Sequence, residues 1–228
     1  MSNGEVSELV REGEFRAAAG AHRIRARTVL LATGVLDRQP DIASLVDMRA
    51  ATLAGLVRWC PVCDGYEVLD RNVGLIAPLD CGEAHALFLR SYSRQVTWII
   101  QPGADVLDLS ARERLNEAGV RILETPVLGM RMLDSKQLAL EFSDGSESRY
   151  DALYPMLGIT AQSTLATALG ADCDENRELI VDAHQRTSVP GLYAAGDMVK
   201  ALNQMAVGMA HAATAATAIH HGLSRNPR

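Results

Sequence analysis

The residues with the clearest capacity for chemistry are Cys60-Pro61-Val62-Cys63-Asp64-Gly65. Two cysteines separated by two residues can close a small ring as a disulfide. Reduced, they can present a thiolate nucleophile where a helix start or a cation lowers the thiol pKa. Pro61 suits the first position of a helix, where its missing N–H is not needed. Asp64 adds a carboxyl beside the second sulfur, able to shuttle a proton to a leaving thiolate. The pair also admits a metal reading. Cys81 and His85 follow downstream, so Cys60, Cys63, Cys81 and His85 could make a four-ligand zinc set. A third reading is an inert pair of packed thiols.

Two further segments could build a binding site. Leu192-Tyr193-Ala194-Ala195-Gly196-Asp197 is a buried strand that ends in glycine and then aspartate. Glycine there lets a ligand approach the backbone, and the carboxylate can accept ribose-type hydroxyls. A long helix follows, and its positive N-terminal end lies near Asn203 to Ala206. Leu30-Leu31-Ala32-Thr33-Gly34 is a second apolar strand that breaks at a glycine.

The elements that must hold these residues follow from periodicity. Strands are expected at Glu5 to Val10, Glu14 to Ala19 and Thr28 to Ala32, with Asp37 to Asp41 as a linker. Strand Asn72 to Ala77, helix Gly82 to Tyr92, strand Gln95 to Ile100, a helix capped by Ser110 that runs to Ala118, and strand Val120 to Leu123 then alternate. Such alternation predicts a doubly wound parallel sheet. Strands near Val127 to Met132, Leu138 to Phe142 and Arg149 to Met156, with turns at Asp134-Ser135-Lys136 and Asp144-Gly145, add a β-meander. Gly158 to Gln162 reads as a hinge, Leu192 to Ala195 as a strand and Asn203 to His221 as a long helix.

Composition excludes several classes. The net charge of −6 argues against a phosphate-backbone partner. The least polar stretch, Ala201 to Ile219, is mostly alanine and carries Asn203, Gln204 and His211, so it predicts a buried helix and no membrane span. Four cysteines are too few for a secreted disulfide framework of this length.

Taken in order, the Ala32-Thr33-Gly34 strand, the Cys-x-x-Cys-Asp-Gly segment and Gly191 to Asp197 with its helix resemble the thioredoxin reductase family of pyridine nucleotide–disulfide oxidoreductases. The resemblance covers nearly the whole chain. It implies an NAD(P)-type doubly wound sheet with the appended meander, residues 40–157, inserted into an incomplete FAD-binding Rossmann-like domain formed by residues 1–39 and 158–228. It implies electrons passing from NADPH through FAD to the cysteine pair and on to a thioredoxin-like protein or small disulfide. Cys60 would be the interchange thiol, Cys63 would face the flavin and Asp64 would be the acid/base. Thr33, Gly34, Gly196 and Asp197 would line the flavin, with Asp197 on the ribityl chain. Gln204, Met205 and Ala206 would lie against the isoalloxazine. Family members are commonly cytoplasmic homodimers.

The sequence departs from the family in three places. No Gly-x-Gly-x-x-Gly turn for the FAD pyrophosphate lies before Ala32. This motivates an alternative: a truncated, non-catalytic remnant or one subunit of a split flavoprotein. At the nicotinamide fingerprint, Ala77 and Leu79 stand where glycines are expected, and only Gly82 keeps the small third position. The next strand ends Ile100-Gln101-Pro102-Gly103 without a cation for a 2′-phosphate, so FAD is expected and NADPH is not supported. Gln204-Met205 replaces the Arg-Gln usual in thioredoxin reductases proper, which weakens thioredoxin as the partner.

Overall fold

The computed structural model describes residues 4–101, 106–133 and 136–224. The chain divides into two compact units, one built from the stretches 1–36 and 159–228, the other from 37–158.

The first unit opens with an antiparallel sheet of β1 (Glu8–Glu12), β2 (Glu14–Ala19) and β3 (His22–Ala26). Phe15 and Leu9 turn into the core from β2 and β1. The strand expected from Glu5 starts instead at Glu8, and β3 is an addition to the expected strands. Its residues His22, Arg23, Ile24 and Arg25 are exposed, so it carries no burial signal, and its ladder with β2 alone defines it. β4 (Val29–Leu31) and β5 (Val35–Asp37) follow. Part of the expected linker is therefore strand.

The second unit begins with α1 (Met48–Leu53), capped by the Asp47 side chain, which accepts from the Arg49 and Ala50 N–H groups. After α2 (Pro61–Asp64) and a 3₁₀ turn over Gly65–Val68 come β6 (Asn72–Ala77), α3 (Leu79–Leu89), β7 (Gln95–Ile100), α4 (Leu109–Glu117) and β8 (Val120–Leu123). A meander of β9 (Val127–Leu133), β10 (Gln137–Phe142) and β11 (Glu147–Tyr150) precedes β12 (Ala152–Pro155). The parallel sheet runs β12-β6-β7-β8. On one face, Val73, Leu75, Ala77 and Trp98 pack with Ala86 and Leu89 of α3 and Leu115 of α4. On the other, Ile76 and Ile99 meet Met48 and Ala51 of α1 and Met130, Leu138 and Leu140 of the meander. Burial on both faces explains why β6 reads as a continuous apolar run.

Three expectations shift. α3 starts at Leu79, three residues before Gly82, with Pro78 as its N-cap. Asp108 caps α4 by accepting from the Ala111 N–H, and Ser110 hydrogen-bonds to that same carboxylate. The strand expected from Arg149 to Met156 is two, β11 and β12, broken at Asp151. The Asp151 carboxylate accepts from the Asn72 N–H at 3.0 Å and from Gln137 Nε2 at 2.7 Å, which redirects the chain from the meander back to the parallel sheet. The turn at Asp134 and Ser135 and the Pro102-Gly103 segment lie outside the described residues. The ends of this unit meet: the Arg38 N–H donates to the Gly158 carbonyl at 3.0 Å.

The first unit then resumes with β13 (Ile159–Ala161), α5 (Thr164–Thr167), β14 (Leu192–Ala194) and α6 (Met205–Gly222). The expected hinge thus contains a strand. β14 pairs in parallel with β4, Leu192 opposite Val29 and Ala194 opposite Leu31. α6 packs on Tyr193 through Ala215, Ala218 and Ile219. Among the described residues no helix is long and apolar enough to cross a membrane.

Candidate active site

Cys60 and Cys63 are joined as a disulfide with their Cα atoms 5.2 Å apart. Cys60 is the extended N-cap of α2 and Pro61 its first residue. The Cys63 and Asp64 N–H groups both point back to the Cys60 carbonyl, at 2.9 and 3.2 Å. Cys60 is half-buried and Cys63 exposed. Gly65 follows because nothing larger fits: a Cβ there would stand 2.5 Å from the Tyr92 ring. Tyr92 in turn stacks edge-on with Tyr66 and Phe88, and this seats the turn after the disulfide.

Asp64 is held from two sides. The Tyr154 hydroxyl donates to its Oδ1 at 2.7 Å, and Arg58 Nη1 lies 3.1 Å from its Oδ2. The same Arg58 nitrogen lies 2.8 Å from Glu67 Oε2. Burial opposes the Arg58 charge, but the hydrogen bonds to Glu67 and Asp64 more than offset it and raise its pKa. Burial, then the hydrogen bond to Asp64, pushes the Tyr154 phenol well above its ordinary value. Arg58, Asp64 and Glu67 line a hollow of about 390 Å³ with Trp59 and Cys60. Sequence reasoning missed Arg58, Glu67 and Tyr154. Charges at Arg58 and Glu67, two residues before Cys60 and four residues after Cys63, were a usable signal. Tyr154, in a distant buried strand, gave none.

The zinc set does not assemble. The Cys60 and Cys63 sulfurs are bonded to each other. Cys81 Sγ points to the Met156 carbonyl, and His85 Nδ1 sits 2.8 Å from the Cys81 carbonyl. Among the described residues no group of three or more His, Cys, Asp or Glu side chains could hold a metal.

The other expected site residues lie in the first unit. β4 and β14 end side by side, and each chain turns through a glycine in the left-handed region: Gly34 at φ +67° and Gly196 at φ +80°. The Thr33 hydroxyl donates to the Gln162 carbonyl at 2.6 Å and lies 3.2 Å from Met198 Sδ, which ties the two strand ends together. Asp197 is half-buried, directly after the Gly196 turn. Gln204 caps α6, and Met205 and Ala206 stand exposed in its first turn. α6 passes close to the glycine turn, since a Cβ on Gly208 would lie 3.4 Å from Gly196 Cα. The buried Asn203 Oδ1 and His211 Nδ1, at and within this helix, have no hydrogen-bond partner. A flavin ring with its ribityl chain fits such a site: open left-handed glycines, a helix N-terminus and unsatisfied polar atoms.

A dinucleotide pyrophosphate does not fit the start of α3. Leu79 packs against the core, and Asp80 puts a carboxylate in the first turn where a phosphate would need the helix amides. Gly82 is buried against Trp98 rather than open to a ligand.

A model of the family described as pyridine nucleotide-disulphide oxidoreductase matches residues 2–222. An alkyl hydroperoxide reductase protein of Pseudomonas putida is 29% identical over 239 residues, covering 99% of this chain and 44% of that protein. Thioredoxin reductase of Listeria innocua serovar 6a is 25% identical over 215 residues, covering 89% of this chain and 65% of that protein. The chain thus spans 44% and 65% of the length of these two relatives. Among solved structures, HlmI matches at TM-score 0.80 and 29% identity, over 96% of this chain and 69% of that one. The oxidoreductase from Agrobacterium tumefaciens matches at TM-score 0.82 and 25% identity, over 96% and 73%. With its parallel sheets and its Cys60–Cys63 disulfide, the chain belongs to the pyridine nucleotide-disulphide oxidoreductase family.

Proposed function

We propose that this chain works as a flavin-dependent dithiol/disulfide oxidoreductase of the thioredoxin-reductase type. The observation that carries the reading is the Cys60–Cys63 disulfide at a helix start, with Asp64 beside it and Cys60 lining a hollow. An FAD bound here, once reduced by an external two-electron donor, would supply the two electrons that open this disulfide. Thr33, Gly34, Gly196, Asp197, Gln204, Met205 and Ala206 are the residues that hold it. Once reduced, the Cys60 thiolate attacks a substrate disulfide, a new S–S bond forms to Cys60, and the substrate's own S–S bond breaks. Asp64 takes the Cys60 proton and returns it to the leaving thiolate. Cys63 then attacks Cys60, re-forms the internal disulfide and releases the second substrate thiol. No step is assigned to NADPH, since the start of α3 does not suit it. A thioredoxin-like protein or a small disulfide as substrate, a homodimer and a cytoplasmic location rest on kinship alone.

Two measurements test the reading. Cys63→Ser is expected to trap a mixed disulfide with a chromogenic aromatic disulfide through Cys60, and Cys60→Ser is expected not to. Equal trapping by both would overturn the division of labour. Purified protein that takes up no added FAD would remove the flavin.

One observation favours a second reading. Among the described residues β4 pairs only with β14, and its residues Val29, Leu30 and Leu31 line a groove of about 880 Å³ with Leu9 and Leu165. An open apolar strand edge accepts another strand. In this reading the chain is one subunit of a split flavoprotein, completed by a polypeptide that carries a Gly-x-Gly-x-x-Gly turn. Co-purification with such a polypeptide supports it, and a stable monomer that binds FAD unaided excludes it.

A further inference from the structure

We infer that Arg58 is the positioning residue of the dithiol site: it fixes the Asp64 carboxylate against Tyr154 and sets the charge that the reduced Cys60 thiol experiences. The inference rests on the dithiol reading above. Arg58 is anchored along its whole length. Its backbone N–H donates to the Leu153 carbonyl at 2.9 Å, and the Leu153 N–H returns to Leu56 at 2.8 Å. Its Nε donates to the Gly55 carbonyl at 3.0 Å. Its side chain is 13% exposed, against 25% for Asp64 and 67% for Glu67. β12 therefore supplies both ends of the clamp: Leu153 fixes the Arg58 backbone, and the neighbouring Tyr154 holds the other carboxylate oxygen. A guanidinium so placed cannot follow solvent as a surface lysine would.

The charge balance gives Arg58 its chemical role. One cation faces two carboxylates, Asp64 and Glu67, in the hollow that Cys60 also lines. Arg71, Lys136 and Asp151 line an adjoining hollow with Arg58 and Glu67, and Tyr154 adds a phenol in contact with Asp64. A thiolate formed at Cys60 shares its hollow with Arg58, Asp64 and Glu67. Without Arg58 it would meet two uncompensated carboxylates, which disfavour the thiolate.

The test follows Cys60 alkylation by iodoacetamide from pH 5 to 10, read at the Cys60 peptide by mass spectrometry in reduced Cys63→Ser protein. Arg58→Gln is expected to raise the midpoint by about 1 pH unit. Arg58→Lys keeps the charge without the fork and is expected to restore most of that shift. Glu67→Gln is the second variant, at an exposed position. It removes one carboxylate and is expected to lower the midpoint by a few tenths of a pH unit. Midpoints unchanged in both Arg58→Gln and Glu67→Gln, with native circular dichroism, would overturn the inference. Wild-type protein whose Cys60–Cys63 pair, once reduced, never opens the aromatic disulfide probe would instead overturn the reading beneath it.

Discussion

Replacing Gly82 by alanine tests whether this glycine survives for packing rather than for a nucleotide. An alanine Cβ there would lie 2.0 and 2.1 Å from two carbons of the Trp98 ring and 2.5 Å from its Nε1. Ordinary carbon contacts are about 3.5–4.0 Å, so something must move by well over an ångström. Either α3 lifts off β7 or the indole turns. Turning breaks the buried hydrogen bond from Trp98 Nε1 to the Ala77 carbonyl, 3.0 Å long. Overpacking costs about 1–3 kcal/mol and the orphaned buried pair about 1–3 more. Helix propensity returns about 1 kcal/mol. The net expectation is a loss of about 1–5 kcal/mol. The chain has two tryptophans, Trp59 and Trp98, both in the unit 37–158, so tryptophan fluorescence in urea follows that unit alone. The midpoint is expected to fall with an unchanged slope. Trp98→Leu in the same chain is expected to recover part of the loss, since it removes the atoms that clash. Gly82→Ala protein as stable as wild type, or more so, would refute the packing argument.

Two further predictions concern titration. Burial first, and then Asp80, pushes the Cys81 thiol up to about 11. At pH 8 its alkylation is expected to lag an ordinary free cysteine by on the order of 100-fold, and Asp80→Asn should narrow the gap. Peptide mass spectrometry reads both rates, and equal rates would contradict the burial argument. Hydrogen bonds from Ser110 and Ala111 lower the Asp108 pKa, backbone N–H groups of Arg186 and His184 lower that of Asp182, and Arg114 lowers that of Glu83. Carboxylates depressed in the folded state stabilise it above their unfolded pKa of about 4 and lose that contribution as pH falls through the folded value. Melting temperature is therefore expected to hold steady from pH 8 to 5 and to drop below about pH 4. A flat profile down to pH 2 would refute it.

Burial decided what the sequence made legible. β6 and β7 are buried on both faces and announced themselves as apolar runs. β3 is exposed and paired only through backbone bonds, so nothing in His22 to Ala26 distinguished it from a loop. The meander and the sheet strand β12 merged because the break at Asp151 depends on Asn72 and Gln137, far away in sequence. At the site, spacing marked the cysteine pair and Asp64 as candidates but left redox, zinc and inert readings open; in the structure the two sulfurs are bonded to each other. Arg58 and Tyr154 were not marked, because their role exists only once β12 brings Leu153 and Tyr154 beside the loop at Gly55. Gly82 stands out in the sequence as a remnant of a nucleotide turn, yet its smallness serves the Trp98 ring.

The hydrogen bond from the Arg38 N–H to the Gly158 carbonyl closes the second unit on itself, so its entrance and exit are neighbours. During synthesis, every strand pairing in the β12-β6-β7-β8 sheet is available once Pro155 has left the ribosome. The first unit must wait longer, because Val29 finds Leu192 only after the whole second unit has been made. Until then β4 is an unpaired apolar edge on a nascent chain whose middle has already folded. The interruption therefore orders maturation: the half with the cysteine pair can form first, and the half with Gly196 and Asp197 only after it.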